Sequence, residues 1–140
     1  MPKFGLGFAA IILSIAATAC GHIGISSCAA PQGPQLLFPN LGATGIVGAN
    51  LTLYFAYGGN PAASGFSRPR IVPSGGGPTV VGGPYAVPSP GPLPPGSATP
   101  QPGFDQVFVS TLPTAAPATT YSVVVIGECG SGSLGTFSTQ

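Results

Sequence analysis

Apolar and polar residues alternate most clearly over 51–57 (LTLYFAY). Leu51, Leu53, Phe55 and Tyr57 fall on one side of an extended chain, and Thr52, Tyr54 and Ala56 on the other. That period of two predicts a strand with one buried face. Residues 120–126 (TYSVVVI) are apolar on both sides, with Tyr121, Val123 and Val125 opposite Ser122, Val124 and Ile126, which predicts a strand inside a sheet. Shorter apolar runs predict strands at 35–39 (QLLFP), 66–72 (FSRPRIV), 106–112 (QVFVSTL) and 135–139 (GTFST). Pro69 interrupts the second of these and predicts an edge position, because proline cannot donate to a ladder. Residues 79–81 and 85–87 predict one short interrupted strand. Glycine and proline separate these runs: 40–48 reads as a turn, 58–65 as a loop, and 127–135 as a turn able to take positive φ. The segment 88–103 (PSPGPLPPGSATPQPG) predicts a long exposed loop in polyproline II conformation. No helix beyond a turn or two is expected after the first 19 residues.

Residues 1–19 (MPKFGLGFAAIILSIAATA) break this pattern. Lys3 gives a weakly positive start, 4–17 is apolar but short for a bilayer span, and Ala17-Thr18-Ala19 is an A-x-A cleavage site. The chain is thus expected to be exported, with a tether at 20–34 and one domain at 35–140. Past the leader the charges are Arg68, Arg70, Asp105 and Glu128, and they cancel. No basic patch can collect phosphates, so nucleic acid is not an expected partner. Low net charge works against solubility, which a membrane tether or a partner lessens.

Pro117, Thr119 and Tyr121 form P-x-T-x-Y, which resembles the corner motif L-x-P-x-T-x-Y-x-V-x-V of fibronectin type III and related exported bacterial Ig-like domains. The resemblance covers 35–140. It implies an all-β chain: an Ig-like (fibronectin type III-like) antiparallel β-sandwich after an N-terminal signal segment. It also implies that the Tyr121 hydroxyl bonds back to nearby backbone. Ala115 stands where the family has leucine, and Leu112 is expected to take over that packing. LGATGIVG at 41–48 and GTFST at 135–139 are similar to the openings and endings of such modules. Val123 stands where an antibody domain has its cysteine, and the chain has no tryptophan.

Cys20, after Ala17-Thr18-Ala19 and before Gly21, resembles a bacterial lipobox cysteine, with alanine in the usual leucine position. The resemblance implies a diacylglycerol on Cys20 and a membrane-anchored envelope lipoprotein, sorted to the outer rather than the inner membrane where a host has both. Two alternatives stay open: cleavage at the same bond without lipid, giving a secreted domain, and lipidation of Cys28 within Ile25-Ser26-Ser27-Cys28. Cysteine arithmetic favours Cys20, because Cys28 and Cys129 then remain as an even pair in an oxidising compartment. In an Ig-like sandwich the first strand starts at the end where the last two strands are joined. A Cys28–Cys129 disulfide is therefore expected.

Little chemistry is available. His22, the only histidine, lies on the tether and reads as a solvated residue. Asp105 and Glu128 are the only possible carboxylate pair. Three cysteines without C-x-x-C spacing predict no metal site. Gly130, Gly132 and Gly135 match G-x-G-x-x-G, but the chain has no room for the helix and acidic residue that a dinucleotide needs. Arg68 and Arg70 share a face and read as solvated edge charges, with an anion site as the functional alternative. Asn50-Leu51-Thr52 is a glycosylation sequon, read as chance. The expectation is a non-enzyme without cofactor, catalytic residues or metal: an envelope-anchored binding or adhesion module for an unidentified protein or glycan. Its alternative is a structural spacer lipoprotein. An exposed cluster of Tyr54, Tyr57 and Tyr85 would favour binding, and a uniform Ser/Thr/Gly/Pro surface would favour the spacer.

Overall fold

The computed structural model describes residues 33–140; the leader, Cys20, His22, Cys28 and the tether up to residue 32 lie outside the described residues. Eight strands and no helix are found among them: β1 (Gln35–Phe38), β2 (Ala43–Ile46), β3 (Thr52–Tyr57), β4 (Arg70–Pro73), β5 (Val80–Val81), β6 (Gln106–Thr111), β7 (Thr120–Gly127) and β8 (Gly130–Thr139). They form a three-stranded sheet, β1-β3-β6, and a five-stranded sheet, β2-β8-β7-β4-β5. All neighbours are antiparallel except β2 and β8. The protein is all-β with two sheets, as the punctuated apolar runs predict.

The alternation along β3 and β7 builds the core. Leu53 and Phe55 from one sheet meet Ile71, Tyr121, Val123 and Phe137 from the other, and Leu36, Leu51, Leu112 and Ala115 complete the buried cluster. Tyr121 stacks on Phe137 with ring centroids 5.7 Å apart.

Four elements differ from the sequence reading. The 40–48 segment is not only a turn: β2 runs within it, parallel to β8, with Ala43 opposite Phe137 and Ile46 opposite Thr139. β4 is not an edge strand but lies between β7 and β5. Pro69 precedes its first ladder pair, so it removes no hydrogen bond from the sheet. The 127–135 turn shrinks to Glu128 and Cys129, since Gly127 already pairs with Gly130. Gly130 takes φ +111 there, which a side chain would resist. The interrupted strand at 79–87 divides between the sheets: β5 pairs with β4, while Ala86 bridges Val109 of β6.

That division closes one side of the sandwich. Gly82 N–H donates to Pro69 O at 2.8 Å in one sheet, and Gly83 N–H to Thr111 O at 2.9 Å in the other. The crossing is so tight that a Cβ on Gly82 would lie 2.6 Å from Ser110 Oγ. On the opposite side the chain passes from β1 to β2 through a cis Phe38–Pro39 peptide.

The 88–103 loop is not simply exposed. It leaves from Ala86, beside β6, and reaches β1, where Ala98 N–H donates to Leu37 O at 2.8 Å. Gln35 grips it twice, donating from Nε2 to Thr99 O at 2.9 Å and accepting at Oε1 from Gln101 N–H at 2.8 Å. Pro94 borders a groove with Phe38 and Tyr54. The loop thus crosses the outer face of the three-stranded sheet. Ala56, which points away from the core on β3, is fully buried.

Candidate binding surface

Among the described residues, the outer face of the five-stranded sheet carries no such cover. Its residues follow from register. Ile71, Tyr121, Val123 and Phe137 are buried in the core, so their strand neighbours point outward. Val72, Ser122 and Thr136 form one cross-strand row, and Val81, Arg70 and Val124 the next. Ile126 stands beyond, opposite Ser131. Val81 is 50% exposed, Ile126 37% and Val72 36%. At the other end of the face, the Thr120 and Ser138 hydroxyls bond to each other at 2.8 Å. The surface is therefore a field of branched apolar groups that grades into hydroxyls.

Arg68 and Arg70 border the apolar part. Arg68 is exposed, Pro69 buried and Arg70 half-buried, an alternation that sends both arginines outward. Their backbone is held from several directions. Ser67 N–H donates to Ile126 O at 2.8 Å, Ile126 N–H donates to Ser67 Oγ at 2.9 Å, and the Tyr85 hydroxyl donates to Ser67 O at 3.0 Å. The Arg70 Nε–H is withdrawn from solvent and has no acceptor among the described residues. Burying a polar donor unpaired is unfavourable by about 1–3 kcal/mol.

The other candidate residues are dispersed. Tyr54 packs edge-on against Phe38, Tyr57 against Phe66 and Phe104, and Tyr85 against Phe55. The three tyrosines do not form the aromatic cluster that was one of two alternatives. Burial pushes the Tyr85 phenol well above its ordinary range. Asp105, just before β6, and Glu128, in the β7–β8 turn, are both exposed. Gly130, Gly132 and Gly135 lie along β8 with no helix after them. Asn50 is exposed at φ +51 ahead of β3, while Thr52 lies in the strand. Among the described residues no group of three or more metal-ligating side chains occurs, and no helix is long and apolar enough to cross a membrane.

The corner residues come together. Ala116 N–H, five residues upstream, donates to the Tyr121 hydroxyl at 2.8 Å. Thr119 Oγ1 donates to Pro117 O at 2.8 Å. Leu112 is fully buried, in line with the packing role expected of it. The sequence reading missed Thr139, whose hydroxyl donates to Ala116 O at 2.6 Å and accepts from Thr119 N–H at 3.0 Å. It also missed Val72, Val81 and Ile126 as surface residues, because each sits in a run that reads as core.

Cys129 is exposed at the hairpin turn, and its expected partner Cys28 lies outside the described residues. Gly33 lines a cleft of about 280 Å³ together with Cys129, Phe66, Val125 and Leu134. Compared with known protein families, curated proteins and solved structures, the chain matches none of them.

Proposed function

We propose that this chain is an envelope-anchored, non-catalytic binding or adhesion module of Ig-like fold, which meets its partner with the outer face of the five-stranded sheet. One observation carries this reading. Among the described residues, the 88–103 loop crosses the outer face of one sheet and no segment crosses that of the other, where Val72, Val81 and Ile126 are exposed. The Ig-like reading is supported by the strand order, with the first, third and sixth strands facing a sheet that holds the last hairpin, and by the Tyr121 corner. Anchoring follows from the lipobox-like segment at Cys20. Export also puts Cys28 and Cys129 where a disulfide is stable, and the cleft shared by Gly33 and Cys129 supports their pairing.

Beads coated with the 140-residue protein test the binding reading, on peptide and glycan arrays and on envelopes of the producing cells. Adhesion is expected, and a Val72→Asp/Ile126→Asp variant of unchanged circular dichroism should lose it. No adhesion by the unaltered protein to any of these surfaces would leave the spacer reading. That second reading is favoured by the hydroxyl end of the face and by the half-buried tyrosines. Cys20→Ser should abolish lipid labelling and release the protein from membranes. Labelling lost only with Cys28→Ser would assign the lipid to Cys28.

A further inference from the structure

We infer that Arg68 and Arg70 recognise a carboxylate-bearing polypeptide segment, laid in extended form on the outer face of the five-stranded sheet. The inference rests on the binding-module reading and gives its partner a chemistry. Both cations of residues 33–140 lie on this one face. Neither has an ionic partner among the described residues. The Arg70 Nε–H is buried without an acceptor among the described residues, and no other nitrogen of that guanidinium makes a hydrogen bond there, so the group keeps its bonding capacity for a ligand. A guanidinium offers donors in a planar fork that matches the two oxygens of a carboxylate.

The site is also pre-formed. Ser67 is tied to Ile126 through its N–H and its hydroxyl, at 2.8 and 2.9 Å. The Pro69 carbonyl is tied to Gly82, and Arg70 lies in the ladder between Val81 and Val124. Binding therefore has little backbone left to order, which favours affinity. Spacing identifies the ligand further. Two residues along an extended chain span roughly 6.6 Å, so carboxylates at i and i+2 of a peptide strand repeat at the interval of Arg68 and Arg70. The residues alternating with those carboxylates face away from the arginines. The flanking Val72, Val81 and Ile126 offer apolar contact to the aliphatic part of acidic side chains. Two cations without a basic stripe do not suit a polyphosphate chain, which is bound by summed charge.

The test uses the 140-residue protein in detergent, with an end-blocked heptapeptide Thr-Val-Glu-Val-Glu-Val-Thr as probe. Nitrogen-15 spectra report the two Arg Nε–H groups directly. Saturable binding that shifts the Arg70 Nε–H resonance and weakens with added salt is expected. The Gln-for-Glu peptide and the Arg68→Gln/Arg70→Gln variant should each bind at least about tenfold more weakly, as for other close charge pairs at interfaces. Arg70→Lys keeps the charge without the fork and should also weaken binding, which covers the case that the double variant misfolds. Equal binding of the Gln peptide, indifference to the arginine variants, or equal binding of an oligonucleotide would overturn the inference. Bead adhesion separates the two readings. Adhesion that survives Arg68→Gln/Arg70→Gln keeps the binding module and rejects the arginine site. Peptide binding without adhesion of the beads keeps the arginine site and rejects the adhesive role.

Discussion

Tyr121 shows how much one side chain fixes here. Its ring is buried against Phe137, and its hydroxyl accepts the Ala116 N–H of a corner that Thr139 clasps from the other side. Tyr121→Phe keeps the ring and leaves that N–H without a partner. The expected loss is about 1–2 kcal/mol. For a domain of this size that lowers Tm by on the order of 5–10 °C, read by thermal unfolding. Tyr85 makes a different contribution. Its phenol is desolvated, so the folded state holds that proton at pH values where the unfolded chain, with an ordinary value of 10.0, has released it. Above pH 10 the unfolded state binds fewer protons than the folded one, so stability falls as pH rises. Below that value the group adds no pH dependence. Denaturant midpoints at pH 9 and pH 11 should therefore diverge more for the unaltered protein than for Tyr85→Phe.

At the scale of elements, the 88–103 loop behaves as a strap held chiefly by Gln35 and by Ala98 N–H. Gln35→Ala removes two of these bonds at an exposed position, so the global loss should be about 1 kcal/mol or less. Local opening should rise much more than global unfolding. Limited proteolysis is expected to cut within 88–103 several-fold faster while Tm barely changes; equal cutting rates would show that Gln35 is not the clasp. The strands with alternating apolar residues, β3, β6 and β7, were legible in the sequence because tertiary burial follows the same period as the chain. β2 was not, because Ala43, Thr44 and Gly45 offer no apolar rhythm and its partner β8 lies some ninety positions away. The start of β8 was hidden for a related reason. Gly130, Ser131 and Gly132 pair through backbone alone with the end of β7. For the candidate site, the sequence presented Arg68 and Arg70 as neighbours. It could not show that the sheet face they border is the one the proline-rich loop leaves uncovered, since that depends on where the loop lies.

For the whole molecule, the cleft lined by Gly33 and Cys129 bears on how the chain is tied to its tether. Cys28 stands five residues before Gly33, and five residues reach at most about 17 Å. A Cys28–Cys129 disulfide closes a loop of about one hundred residues, worth about 4–5 kcal/mol in the chain-entropy model. A compact unfolded chain reduces that figure. Thiol labelling of the lipidated protein without reductant should find neither cysteine reactive, and Cys28→Ser should lower Tm. Two reactive thiols in the folded protein would sink the pairing. The parallel pairing of β2 with β8 has a mechanical consequence. One strand lies toward the start of the described residues and the other ends at residue 139, so pulling the two ends apart slides them past each other. Their hydrogen bonds, with Gln140 N–H to Ile46 O at 3.1 Å and Gly42 N–H to Thr136 O at 2.7 Å at the margins, then bear load together instead of one after another. Single-molecule pulling from residues 33 and 140 should need a higher force than pulling from 119 and 140, the open end of the last hairpin, which peels β8 from β7 pair by pair. A module tethered at one end and gripped at the other would be loaded in its resistant direction.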